Sequence, residues 1–222
     1  MEGKRWWECV WQTYKATFYV ISPGRGYHVV KENFGEDYRG ILIHDCRAAH
    51  NNTISKTGHQ QCNSHLQRDL KFLVETYKSK WAYQFNKFLN ASHRARDKIW
   101  SEKFDTELRN RTIKEYTNKL LGSINIKLKE KDVLKFQKRI KKHRDSILLF
   151  MNYKSVPFHN NSSEQAIRMT KVKQKISGGH RSQHGAQRHS VLLSIIETAK
   201  KQNMDIFVSI QNLLNGSLVF QG

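Results

Sequence analysis

From Trp81 to Tyr153 the chain is charge-rich, with helical spacing, few glycines and no convincing strand. This block constrains the fold more than any other feature, because it confines the strands to the residues before it. Leu120, Leu121, Ile124 and Leu128, then Val133, Phe136, Ile140 and Ile147, supply inner faces at helical spacing, with a break near Gly122 to Asn125. The block reads as an all-helical insertion. Its bases, including Arg94, Arg96, Lys138, Arg139, Lys141, Lys142 and Arg144, have the chemistry to grip a phosphate backbone, although a charge run is by default a solvated helix face.

The preceding residues carry the strands. Arg5 to Gln12 is aromatic-rich with strand character, Thr13 to Ala16 makes a hairpin connection, and Thr17 to Ser22 is a second strand. Tyr27 to Phe34 is predicted as a short helix with Val29, Val30 and Phe34 inward, ended by Gly35. Ile41 to His44 is a short apolar run of the kind covered on both faces, and it ends in Asp45. An acid at the C-terminal end of a central strand stands where α/β folds place ligand and metal chemistry. The competing reading makes Asp45 a cap for the turn into Ala48 and Ala49. After the polar loop Asn51 to Gly58, Gln60 to Asn63 adds a short strand, and a helix from Ser64 buries Leu66, Leu70, Leu73, Val74 and Tyr77. Arg68 and Asp69 are adjacent on that helix and by default are solvated or internally paired. The fold class is α/β.

Beyond the helical block, the window Pro157 to Arg188 holds one carboxylate, Glu164, among Arg168, Lys171, Lys173, Lys175, Arg181 and Arg188. Ser162 and Gln165 fit a capping box, so a helix starts near Ser162 and runs towards Ile176, with Glu164 in its first turn. Taken alone, Glu164 complements the helix dipole. Ser177, Gly178 and Gly179 break the helix, and Ser182 caps a second one with Val191, Leu192, Ile195, Ile196 and Ala199 inward. Asn203 to Asn215 is a last amphipathic helix with Ile206, Phe207, Ile210, Leu213 and Leu214 inward.

At 222 residues the chain fits one domain with an elaboration, or two small ones, with a single composite domain as the default. Thirty-nine Lys and Arg against nineteen Asp and Glu give a formal charge of +20, which calls for a polyanionic partner, nucleic acid first. No apolar run approaches a membrane span and no signal-peptide core is present, so the expectation is a soluble protein of the cytoplasm with no membrane partner. Three cysteines, Cys9, Cys46 and Cys62, point to a reducing compartment. Cys62, His65 and nearby His59 make half a zinc site at most, and core packing or local hydrogen bonding is the preferred reading.

The run PFHNNSSEQAIRMTKVKQKISGGHRSQHGAQR followed by IIETAKKQ resembles the C-terminal hallmark of bacterial insertion-sequence transposases of the insertion-sequence-66 family. The likeness extends back through HQQCNSHLQRDLKFL, ILIHDCRAAHNN, TFYVISPGRG and GKRWWECVW, covering about Gly3 to Leu214 in order. It implies an RNase H-like mixed sheet flanked by helices, with core parts at 1–79 and 154–222 and the helical insertion at 80–153. It also implies an Asp, Asp, Glu set that binds two Mg²⁺ (or Mn²⁺) ions and carries out DNA strand cleavage and strand transfer. Asp45 matches the second acid and Glu164 the third, both as catalytic residues and metal ligands. Such chemistry needs hard oxygen ligands for Mg²⁺, and two ions about 4 Å apart stabilise the attacking and leaving oxygens. Arg168, Lys171, Lys173, Lys175, Arg181 and Arg188 become DNA-binding candidates at that site.

No residue matches the first catalytic Asp: Glu2 is too close to the terminus and Glu8 falls in the second strand of the family pattern. The resemblance therefore implies the C-terminal part of a longer, nucleoid-associated transposase whose first strand is missing. The strand left at the sheet edge would be an association site for the missing part or for a second copy. The alternative is a catalytically inactive DNA-binding remnant. A ribosomal-type RNA-binding protein would explain the charge but not Asp45 with Glu164.

Overall fold

A computed structural model describes residues 6–35, 38–45 and 55–221, with the side chains of residues 34, 169 and 173 outside the description. Glu2, Cys46, Ala48 and Ala49, the start of the loop at 51–54, and the side chains of Phe34 and Lys173 thus lie outside the described residues. In chain order the elements are β1 (Trp7–Gln12), β2 (Thr17–Ser22), α1 (Tyr27–Phe34), β3 (Ile41–His44), β4 (Gly58–Gln61), α2 (Asn63–Tyr77), α3 (Lys80–Ile99), α4 (Thr106–Ile124) and α5 (Lys131–Lys142). A 3-10 turn (Arg144–Ser146), α6 (Leu149–Asn152), α7 (Asn161–Ser177), α8 (Gln183–Lys201) and α9 (Ile206–Leu214) follow. The chain divides into two compact units, Met1–Glu32 with Asn161–Gly222, and Asn33–Asn160.

In the first unit β1 and β2 pair antiparallel, from Trp7 opposite Ser22 to Gln12 opposite Thr17. The turn is closed by Thr13 N–H donating to the Ala16 carbonyl at 2.8 Å. Lys201, at the end of α8, ties the same turn down by donating to Gln12 Oε1 (2.8 Å), Thr13 O (2.6 Å) and Ala16 O (3.1 Å). Along β2, Thr17 N–H donates to Thr198 Oγ1 (3.1 Å) and Tyr19 N–H to Ser194 Oγ (2.9 Å). Hydroxyls of α8 thus satisfy strand donors, a task no apolar side chain can do.

That task goes with a face of α8 that is only partly the expected one: Ile195 and Ala199 are inward and Ile196 is half-buried. Ser190, Leu193, Ile195, Thr198 and Ala199 are buried, whereas Val191 and Leu192 are exposed. Apolar spacing alone misplaced Val191 and Leu192 because part of the contact with β2 is polar. In α9, likewise, Ser209 is buried and Phe207 and Leu214 face solvent. The glycine corner between α7 and α8 is real: Gly178 and Gly179 both have positive φ (71° and 88°), and Gly179 N–H donates to Gln174 O at 2.9 Å. A side chain at either position would strain the backbone.

In the second unit β3 and β4 pair parallel, Ile41 opposite Gly58 and His44 opposite Gln61. Among the described residues the strands therefore make two two-stranded sheets instead of the single mixed sheet expected from their order, while the α/β class holds. Leu42 and His44 are buried and Ile41 and Ile43 pack against the helical core, so β3 is covered on both sides. That core is built from Leu66, Leu70, Trp81, Phe85, Leu89, Ile99, Val133, Ile140 and Phe150, with Trp81 stacked on Phe85 at 5.2 Å. Full burial of an aromatic such as Phe85 contributes about 1.5–3 kcal/mol. Ser79 caps α3 by accepting from Ala82 N–H at 3.2 Å, and Asp105 caps α4 by accepting from Leu108 N–H at 2.7 Å. Leu121, expected inward, is 38% exposed, because Leu120 and Ile124 take the inner face of α4.

Candidate active site

Glu164 lies in the first turn of α7, half-buried. The spacing of Glu164, Arg168, Lys171 and Lys175, alternately four and three residues, puts them along one face of that helix. Arg168, Lys171 and Lys175 are exposed, so the stripe is a carboxylate followed by a line of solvated bases. Lys173 lies within α7 but its side chain is not described. Arg181 falls in the turn after the glycine corner and Arg188 on α8, both exposed.

A different face of α7 meets β1. Glu8 Oε2 accepts from Thr170 Oγ1 at 2.5 Å and from Gln174 Nε2 at 3.4 Å, and Gln12 Nε2 donates to Ser163 Oγ at 3.3 Å. Burial pushes the Glu8 carboxyl above the usual carboxylate range, against the Thr170 hydrogen bond and the nearby His180 and Lys171. His180 and His189 stand 5.0 Å apart between ring centroids. Sequence reasoning did not foresee this polar seam. The only signal was a Glu within an aromatic strand, which has no partner readable from spacing.

Asp45 ends β3 in the other unit, half-buried, directly after buried His44. His44 Nδ1 lies 2.5 Å from the Asp45 main-chain carbonyl and its Nε2 lies 3.1 Å from His59 Nδ1. A consistent proton arrangement has His44 donating through Nδ1 and accepting at Nε2 from His59. His59 comes from β4, so the two paired strands and the two imidazoles together fix the backbone at Asp45. His143 is also nearby in charge terms: burial lowers its pKa, with Lys142, Arg139 and His59 adding to the effect.

Behind these strands sits a buried amide group. Gln60 and Asn63 have no exposed surface. Gln60 Nε2 donates to Gln61 O (2.7 Å) and Ile147 O (3.2 Å), Gln60 Oε1 accepts from Phe150 N–H (2.7 Å), and Asn63 Nδ2 donates to Ile147 O (3.0 Å). Cys62 is equally buried and accepts from Asn160 N–H at 3.2 Å. Burial works to raise its thiol pKa, but the His65 hydrogen bond and the Asn160 N–H bring it below the usual value. Arg68 is exposed, while Asp69 pairs with Arg139 of α5, the internal pairing expected by default.

No helix among the described residues is long and apolar enough to cross a membrane. No solved structure matches the chain. A 76-residue stretch is 30% identical to the uncharacterized protein y4jO of Sinorhizobium fredii (strain NBRC 101917 / NGR234), covering 34% of this chain and 24% of that protein. The chain thus spans about a quarter of the length of that curated relative. Residues 1–188 match the family described as Transposase IS66 family. With Asp45, Glu164 and the basic run of α7 all inside the matched residues, the chain belongs to the Transposase IS66 family.

Proposed function

We propose that this chain is the catalytic part of a DNA transposase, cutting strands at insertion-sequence ends and joining them to target DNA with divalent cations. The observation that carries this reading is the α7 face, where the Glu164 carboxylate leads the exposed bases Arg168, Lys171 and Lys175. Bases alone would bind DNA without chemistry, and an acid alone would repel it. Together they suit a carboxylate that holds a cation beside a phosphodiester whose charge the bases neutralise. Asp45, held at the end of β3, is the second carboxylate of the reading.

The donor set fits Mg²⁺ or Mn²⁺, since both side chains offer hard oxygens and Mg²⁺ is commonly held by one or two carboxylates plus waters and substrate phosphates. When bound, a pair of such ions stabilises the attacking and leaving oxygens of an in-line displacement. The residues of the chain would do the rest: Asp45 and Glu164 hold the cations, and Arg168, Lys171, Lys173, Lys175, Arg181 and Arg188 bind and orient the phosphate backbone. In cleavage a water oxygen bonds to phosphorus and the strand's 3′ oxygen leaves; in transfer a 3′ hydroxyl attacks and a target 3′ oxygen leaves. An RNase H-like core formed by 1–79 and 154–222, with 80–153 inserted, is part of the same proposal.

The test is nicking of a labelled insertion-sequence end in Mg²⁺ or Mn²⁺. This sequence matches two of the family's three acids, so the chain is assayed alone and with a separately made family fragment carrying the first Asp. Metal-dependent nicking in either arm that Asp45→Asn or Glu164→Gln abolishes supports the reading. Salt-sensitive DNA binding without nicking in both arms would overturn it and leave a non-catalytic DNA-binding protein.

A further inference from the structure

Three exposed lysines elsewhere in the described residues are met by acids: Lys71 by Glu75 (3.7 Å), Lys119 by Glu115 (2.5 Å) and Lys200 by Glu197 (2.7 Å). Helix α5 sets four lysines without such an acid on a single line. Its inner face, Val133, Phe136, Gln137 and Ile140, is buried in the core. Lys131, Lys135, Lys138 and Lys142 recur at intervals of four, three and four residues, which sets them on one line opposite that inner face, and all four are exposed. Among the described residues no carboxylate pairs with any of the four. The other three charges of the helix have partners: Arg139 pairs with Asp69 and lies 4.6 Å over the Phe136 ring, Asp132 accepts from the Tyr77 hydroxyl, and Lys141 donates to Asn125 Oδ1 at 3.2 Å. On α5, packing thus separates the charges held within the fold from a line of four lysines that faces solvent.

We infer that the Lys131–Lys135–Lys138–Lys142 line of α5 is a second DNA-contacting surface, gripping the phosphate backbone of duplex DNA without reading its sequence. The geometry suits that partner. Eleven residues of helix rise about 16 Å, and one DNA strand carries a phosphate about every 3.4 Å along the axis, so four ammonium groups run beside roughly five phosphates. Lysine fits a backbone contact because it is a mobile point charge with three donors, not a planar fork aimed at a base edge. The inference builds on DNA as the substrate but not on the roles of Asp45 and Glu164.

The experiment measures binding of the full chain to a duplex of arbitrary sequence by fluorescence anisotropy across a salt series. Each neutralised phosphate adds about 0.9 to the slope of log affinity against log salt. The variant Lys131→Gln/Lys135→Gln/Lys138→Gln/Lys142→Gln is expected to lower that slope by about 3.6. Between about 50 and 200 mM salt the wild type would then lose about 100-fold more affinity than the variant. A control removes the same charge from α2, α3 and α4 through Lys71→Gln/Lys80→Gln/Lys114→Gln/Lys119→Gln and should leave the slope close to wild type. Thermal melts confirm that both variants are folded. An unchanged slope in the α5 variant overturns the inference, and so does an equal fall in the control, which would trace the effect to net charge. Loss of nicking in Asp45→Asn with an unchanged α5 slope sinks this surface alone, whereas the reverse pattern sinks only the catalytic assignment.

Discussion

Gln60 and Asn63 share one acceptor, the Ile147 carbonyl, at 3.2 and 3.0 Å, and that arrangement makes a sharp thermodynamic prediction. Gln60→Leu removes the acceptor of Phe150 N–H, leaving a buried donor unsatisfied at about 1–3 kcal/mol, while Asn63 still serves Ile147. The expected loss is about 2–3 kcal/mol, or about 5–10 °C in melting temperature for a chain of this size. Asn63→Leu should cost less, about 1 kcal/mol or below. It gives up one hydrogen bond, and it also removes a buried Oδ1 that has no hydrogen-bond partner among the described residues. In the double variant neither amide reaches Ile147, so its cost should exceed the sum of the singles by about 1–2 kcal/mol. Urea melts of the four proteins complete the cycle. Additivity within about 0.3 kcal/mol would refute the shared-carbonyl reasoning.

Phe85→Ala, in the centre of the helical core, should destabilise the protein by about 3–5 kcal/mol, read from a denaturant midpoint; a loss below about 1 kcal/mol would contradict its complete burial. Lys201→Met removes three donated bonds at the β1–β2 turn and should cost about 1.5–3 kcal/mol, with faster amide exchange at the hairpin; unchanged exchange would show the turn closes without it. Glu8 has a folded pKa above its ordinary value, so the native state binds the extra proton and stability falls as pH rises from the usual carboxylate range through the raised value. Glu8→Gln should therefore gain on the wild type more at about pH 7 than at about pH 4, and a pH-independent difference in melting temperature would count against a buried carboxyl. Ser182→Ala removes the cap on Gly185 N–H (3.1 Å) and should cost about 1 kcal/mol, whereas an unchanged melting temperature would mean water replaces it.

Periodicity and turn chemistry alone determined much of this protein. The strand Thr17–Ser22 and the helix Tyr27–Phe34 fall at their predicted bounds, the glycine corner follows α7, and Ser182 caps α8. These features are local, set by side-chain spacing and by the few residues that tolerate positive φ or accept from a free N–H. The sequence also supplied the family, through ordered motifs around Asp45 and Glu164, and the charge that calls for a polyanion. Only tertiary structure decided which polar groups are used inside. The hydroxyls of Ser194 and Thr198 joined the apolar Leu193, Ile195 and Ala199 on the inner side of α8, while Val191 and Leu192 face solvent. The amides of Gln60 and Asn63 became a buried joint, His59 was brought to His44 behind Asp45, and Arg139 was drawn to Asp69 while Lys131, Lys135, Lys138 and Lys142 stayed in solvent. A buried polar group is stable only when a particular partner reaches it, and that partner is a residue distant in sequence whose approach no periodicity encodes.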